Sequence, residues 1–294
     1  MNLYYAVGGG LGHFSRAIAF VHSHPKLLPT NTIVMVADRE MYTMRDHNFQ
    51  DDLWSNLPMV KIPTQVFQDQ QQLILWLQHW LSEHQPESIY LDTFPAGIAG
   101  EWNGLNPEGS RICYVGRYLQ QESYSYADLI SFDHAYQLEA WHPRQEERIT
   151  RSCRKVIPFP LRYPAASVPQ PIQKQINDWQ SMGREVWAVV HSEPRDETEA
   201  LLNHARDLAA MKQKNPIYLL CSSQPLEPES DMYPLRLFPA YGLFSRVDRI
   251  ITACGFNLMQ QALDFQARHE AVPFPRRYDN QFRRYKKWKA AFKS

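Results

Sequence analysis

Leu3-Tyr4-Tyr5-Ala6-Val7 runs into Gly8-Gly9-Gly10-Leu11-Gly12-His13 and on into Phe14-Ser15-Arg16-Ala17-Ile18-Ala19-Phe20-Val21. A short apolar strand, a glycine turn and the first turn of a helix put backbone N–H groups and one imidazole at the carboxyl edge of a sheet, where α/β proteins keep ligands. Outward from this unit, strand-like runs at 32–37, 88–92, 111–115 and 129–132 alternate with amphipathic segments near 69–83 and 96–103. That is the rhythm of a parallel sheet covered by helices. Within 70–81 the spacing puts Leu73, Leu77, Trp80 and Leu81 on one helical face.

The character changes at Val156-Ile157-Pro158-Phe159-Pro160, with further prolines at 164, 169 and 171. Such a stretch holds neither a long helix nor an interior strand, and 158–172 reads as a linker. Beyond it the α/β rhythm restarts, with strands at 185–190, 216–221 and 249–253 and helices at 196–212 and from about 256. The chain of 294 residues divides into an N-terminal domain over 1–157 and a C-terminal one over 173–294. Two such halves make a cleft between facing carboxyl edges.

Thirty-one basic and 31 acidic residues cancel, so no global field recruits nucleic acid or an anionic bilayer. The four cysteines, Cys113, Cys153, Cys221 and Cys254, show no metal-binding spacing, and no metal is expected. Without a signal-peptide pattern or a long apolar run, the expected compartment is the cytoplasm. The tail from Arg276 carries eight basic residues against one acid, interleaved with Phe282, Tyr285, Trp288 and Phe292. A last helix over 279–293 with an aromatic seam follows, crossing back to pack on the N-terminal domain. The other use of such a surface is a weak peripheral contact with anionic lipid, or nucleic acid.

Gly-x-Gly-x-x-Gly fails, because counting from Gly8 or Gly10 the sixth position is His13 or Ser15, and Asp38 after the second strand does not rescue a dinucleotide site. No Gly-Lys-Ser/Thr follows to make a phosphate-binding P-loop. A helix N-terminus lowers an imidazole's pKa, which suits His13 to general-base work; the alternative is a hydrogen bond near the helix start. A second strand–Gly–helix unit, Ile250-Ile251-Thr252-Ala253-Cys254-Gly255-Phe256-Asn257, offers another helix N-terminus for a phosphate. In Val272-Pro273-Phe274-Pro275-Arg276-Arg277-Tyr278-Asp279-Asn280-Gln281, Asp279 reads as the N-cap of the last helix. After the first strand of the second half, Ser192 and Arg195 are placed to contact phosphates, or Pro194 and Asp196 simply start a helix. Asp92 and Glu101 are placed to orient an acceptor hydroxyl or a histidine, or to cap and face solvent.

The Gly-Gly-Gly-x-Gly-His opening, Asp92-Thr93-Phe94-Pro95-Ala96-Gly97-Ile98-Ala99-Gly100-Glu101, Gly255-Phe256-Asn257 and Pro275…Asp279-Asn280-Gln281 come in the same order as in GT-B glycosyltransferases. The chain resembles the group that contains the peptidoglycan N-acetylglucosaminyltransferase and related, family 28-like, glycosyltransferases. The resemblance implies two facing Rossmann-like domains, the acceptor in the N-terminal one and a nucleotide-sugar donor, foremost a UDP-sugar, in the C-terminal one, with no permanently bound cofactor. By position, the resemblance makes His13 the base or an acceptor-site group, has Gly10 and Gly12 make room for the donor, puts Gly255 and Asn257 by the diphosphate, and has Asp279 and Gln281 contact the sugar. Asp92 and Glu101 fall on the acceptor side. Where the group carries a ribose-binding glutamate, this chain has Gln260-Gln261, leaving Gln261 a neutral amide bond about half as strong. Two alternatives share the fold: a non-catalytic nucleotide- or glycan-binding protein, and a nucleotide-sugar 2-epimerase, which leans on cleft carboxylates.

Overall fold

The computed structural model describes residues 1–8, 11–37, 57–105, 107–120, 130–192, 194–223 and 227–291. Gly10 and Asp38 lie outside the described residues. The described residues form two compact units, one within 1–37, 57–164 and 277–280, the other within 165–276 and 281–291.

In the first unit, β1 (Asn2–Tyr5) leads to α1 (Leu11–Ser23), β2 (Thr32–Val36), β3 (Met59–Lys61), α2 (Gln70–His84), β4 (Ser88–Asp92), β5 (Arg111–Gly116), β6 (His134–Gln137), α3 (Pro143–Ser152) and β7 (Val156–Pro158). All pairings are parallel, in the order β3-β2-β1-β4-β5-β6-β7. The chain winds one way from β1 and then returns to β4 on its other side, so the carboxyl ends of β1 and β4 flank a topological switch point. Both strands are buried along their whole length, as covered parallel strands require. α2 begins at an Asp69 cap whose carboxylate accepts from the Gln71 and Gln72 N–H groups at 2.9 and 3.1 Å, and ends at Gln85 in the left-handed region. It buries Leu73, Leu77, Trp80 and Leu81, the face its spacing predicts.

The second unit runs α4 (Gln170–Ser181), β8 (Val186–Val190), α5 (Arg195–Met211), β9 (Ile217–Cys221), β10 (Met232–Leu235), β11 (Arg249–Ala253), α6 (Phe256–Gln261), β12 (His269–Val272) and α7 (Gln281–Ala291). Its sheet is again parallel, in the order β10-β9-β8-β11-β12, which puts a second switch point at the ends of β8 and β11. Alternate residues of β8 enter opposite cores: Val186, Ala188 and Val190 on one face, Trp187 and Val189 on the other. No helix among the described residues is long and apolar enough to cross a membrane.

Several expectations change. The segment 96–103 is a chain of turns, with Gly97 and Gly100 at φ of +81° and +78°, a conformation that a helix excludes. The strand expected at 129–132 begins instead at His134. Inside the proline-rich stretch, Val156–Pro158 is an edge strand, where a missing N–H does no harm, and Pro171 sits in the first turn of α4. β3, β10 and β12, each of three or four residues, add strands that local pattern does not mark. The last helix packs Tyr285 and Trp288 on Cys254, Met259 and Ala271.

Candidate active site

β1 and β4 bring together two side chains 79 residues apart. His13 Nδ1 lies 2.5 Å from Asp92 Oδ2. A carboxylate only accepts, so Nδ1 carries the proton and the lone pair of the neutral ring is on Nε2. Both groups are buried, with His13 at 6% and Asp92 at 2% exposure. The ring stacks on Phe94 with 5.9 Å between centroids. Its Nε2 side lies against Gly8, where any Cβ would overlap Nε2, Cδ2 and Cε1 of the ring. The first glycine of the turn therefore makes room for an imidazole. Because Asp92 and Phe94 pin that ring, Gly8→Ala is expected to destabilise the protein by about 1–3 kcal/mol, the usual cost of overpacking, read by chemical denaturation.

The Asp92 carboxylate is saturated. Arg16 donates to it twice, Nε–H to Oδ1 at 2.9 Å and Nη2–H to Oδ2 at 2.8 Å, and the Tyr4 hydroxyl donates to Oδ1 at 3.0 Å. Burial pushes the Asp92 carboxyl up, but the Arg16 guanidinium and His13 outweigh it and hold the group well below the usual carboxylate range. For His13, burial is the largest influence and lowers the pKa, Asp92 opposes it, and Arg16 lowers it further; the ring stays neutral. The main cause of the lowering is loss of water. Just past Asp92, Thr93 has φ of +68°, uncommon for a β-branched residue, and is held there by its N–H on Val115 O at 2.9 Å and its carbonyl accepting from the Tyr114 hydroxyl at 2.7 Å.

Glu101 is buried but stands apart from this pair. Its Oε1 accepts from the Tyr5 hydroxyl at 2.6 Å and its Oε2 from the Ala99 N–H at 2.8 Å, so it shapes the turn that starts at Gly97. Gly12 lies in the first turn of α1. Asp279 is not the cap of α7, which begins two residues later; it pairs with Arg117 at 3.0 Å and its carbonyl accepts from Gln120 Nε2 at 2.5 Å, in the first unit. Gln281 belongs to the second unit, where its Oε1 accepts from the Phe274 N–H at 3.0 Å.

At the switch point of the second sheet, Gly255 caps α6 and has nothing within 4 Å of where its Cβ would stand, an approach open to a large ligand. Asn257 and Gln261 sit half-buried on the six-residue α6. Ser192, after β8, is half-buried and its carbonyl accepts from the Ser223 hydroxyl. Arg195 is exposed and pairs with Glu199 one turn on at 2.8 Å. Local spacing passes over a neighbouring cluster: His191 Nε2 lies 2.9 Å from Glu197 Oε2, and both Arg276 Nη atoms donate to the same carboxylate. Arg16 is also passed over, although an arginine amid Phe14, Ala17, Ile18 and Ala19, three residues after the histidine, carries the signal of a buried charge. Among the described residues no group of three or more His, Cys, Asp or Glu side chains is placed to hold a metal ion.

No protein-family model matches the chain, and no curated protein matches it. Among solved structures it is similar to the S. aureus MnaA–UDP co-structure, at a TM-score of 0.59 and 11% identity over 100% of this chain and 88% of that one. It is also similar to the spinosyn forosaminyltransferase SpnP, at 0.56 and 13% identity over 98% and 83%. A UDP-N-acetylglucosamine 2-epimerase from Rickettsia bellii matches at 0.55 and 11% identity over 96% and 80%. At such identities the likeness is one of fold: an α/β chain with two Rossmann-like halves of the GT-B type.

Proposed function

We propose that this protein is a glycosyltransferase that moves a sugar from a nucleotide-sugar donor, foremost a UDP-sugar, to an acceptor hydroxyl or amine. The observation that carries the reading is the buried His13–Asp92 pair at the first switch point. In it His13 Nε2 takes the proton of the acceptor as the acceptor atom bonds to the anomeric carbon. The carbon–oxygen bond to the diphosphate breaks, and the nucleoside diphosphate leaves with the bond's electron pair. Asp92 holds the ring in the Nδ1–H tautomer and stabilises the imidazolium that forms. Around Gly255 and Asn257, backbone N–H groups are the proposed holders of the diphosphate charge, and Ser192 and Gln261 its polar neighbours. Asp279 and Gln281, engaged as described, serve by shaping their loop.

The test is a panel of nucleoside diphosphates and their sugars, read by thermal stability and by release of the nucleoside diphosphate in the presence of candidate acceptors. A ligand at 100 times its Kd adds about 2.7 kcal/mol. Stabilisation by one diphosphate family with acceptor-dependent release is the expected result; binding without turnover overturns the transferase reading in favour of a binding protein. The fold likeness to UDP-N-acetylglucosamine 2-epimerases supports a second reading, which the same assay separates, since epimerisation consumes no acceptor and releases no free diphosphate on turnover. Because burial lowers the His13 pKa, the neutral base persists below its ordinary value of about 6.5. The acid limb of kcat/KM is therefore expected at a pH below about 6.5, with no loss from His13 above it. A limb above that value would mean an imidazole raised by Asp92 rather than lowered by burial.

A further inference from the structure

Asp92 is shared between two residues of one helix. Arg16 follows His13 by three residues in α1, so both side chains leave the same face and meet the same carboxylate. Arg16 is 3% exposed, donates through Nε and Nη2 to the two Asp92 oxygens, and donates through Nη2 to Thr93 Oγ1 at 2.9 Å. With the His13 and Tyr4 bonds, both oxygens are occupied from more than one direction. Two things follow: the carboxylate cannot rotate, and its negative charge is balanced before any proton reaches His13.

Resting on the transfer reading above, we propose that Arg16 is a positioning residue of the proton-transfer site: its fork fixes and neutralises Asp92, so that His13 meets the acceptor as a neutral imidazole with Nδ1–H anchored and Nε2 ready to accept. A lone carboxylate beside His13 would instead raise the proton affinity of the ring and favour a proton on Nε2 before the acceptor arrives. The saturated Asp92 also has no position for a proton, so the one taken from the acceptor stays on the imidazole. The groups facing the pair are Arg16 from α1, Tyr4 from β1, Arg117 beyond β5 and Tyr163 beyond β7. Burial keeps both tyrosines protonated, so the charges acting on the pair are those of the two arginines. Of these, Arg16 bonds Asp92 directly.

The experiment is an NMR titration of the imidazole nitrogens in the full chain labelled at histidine, with the His13 signals assigned by their loss in His13→Gln. In the parent, His13 is expected as the Nδ1–H tautomer, neutral at pH 6.5. In Arg16→Gln, which removes the charge, the His13–Asp92 pair is expected to take up its proton about one to three pH units higher. In Arg16→Lys, which keeps the charge and loses the fork, the midpoint is expected near the parent's. A residue that served packing alone would lower stability in both variants without moving the midpoint, and that result overturns the proposal. So does a doubly protonated His13 at pH 6.5 in the parent, which decides the question even if Arg16→Gln does not fold. The readout needs no turnover. The expected titration in a chain without transfer activity overturns only the transfer reading, whereas transfer with an unmoved midpoint in Arg16→Gln overturns only the role of Arg16.

Discussion

Asp92→Ala is expected to destabilise the first unit by about 3–5 kcal/mol, a large share of the 5–15 kcal/mol that holds an ordinary domain together. The cost is not the loss of an attraction between Asp92 and Arg16 as such, since forming a buried pair returns little over leaving both charges in water. It lies in what remains. Arg16 stays 3% exposed with its charge unanswered, and the Tyr4 hydroxyl and His13 Nδ1–H lose their acceptor in the same pocket. Urea unfolding followed by fluorescence measures the effect in the first transition, as a lower midpoint with an unchanged slope. A loss below about 1 kcal/mol would show that water reaches Arg16 in the variant, and with it that the pocket is wetter than its burial implies. Asp92→Asn, which keeps the volume and one acceptor oxygen, should fall between the parent and alanine.

That pocket was only partly legible in the sequence. The glycine turn and His13 announce themselves because an apolar run, glycines and a helix start are adjacent in the chain, and adjacency is what sequence patterns record. Asp92 is visible as an acid at a strand end, but its meeting with His13 depends on β4 pairing beside β1, a consequence of strand order that no local spacing encodes. Arg16 is harder still, because charged residues on helices ordinarily face water; here α1 is buried along most of its length, and the arginine is tolerated inside because the partner is supplied by another strand.

The segment 96–103 and the loop before α7 show the same limit of local pattern. Ala96, Ile98, Ala99 and Trp102 mimic a helical stripe, and the glycines that rule the helix out are the feature to weigh. Asp279 and Gln281, two residues apart, find their partners far off in the chain, Asp279 on Arg117 and Gln281 on the Phe274 backbone, pairings that no local spacing encodes. The fold class survives such errors because it rests on a repeated alternation of strand and helix over both halves, in which no single element decides the outcome.

Replacing His13 is expected to lower turnover by about 10²–10⁴-fold, the usual worth of a positioned general base. His13→Ala should do this with little change in the affinity for the nucleotide, because the imidazole belongs to the first sheet and the proposed diphosphate holders to the second. The fold should tolerate the change: Asp92 keeps both Arg16 bonds and the Tyr4 bond, so the lost partner leaves no uncompensated charge. The contrast with Asp92→Ala is therefore sharp, one variant losing chemistry with stability largely kept, the other losing stability and chemistry together. Steady-state kinetics at saturating donor, with nucleotide affinity measured separately, separates the two effects. His13→Gln sharpens the comparison, since an amide can keep a hydrogen bond to Asp92 but has no lone pair basic enough to take a proton; its activity should match that of alanine. Full turnover in either variant would remove His13 from the chemistry and return the pair to a purely structural anchor of α1 on β4. Loss of nucleotide binding along with turnover would mean that the imidazole touches the donor rather than the acceptor.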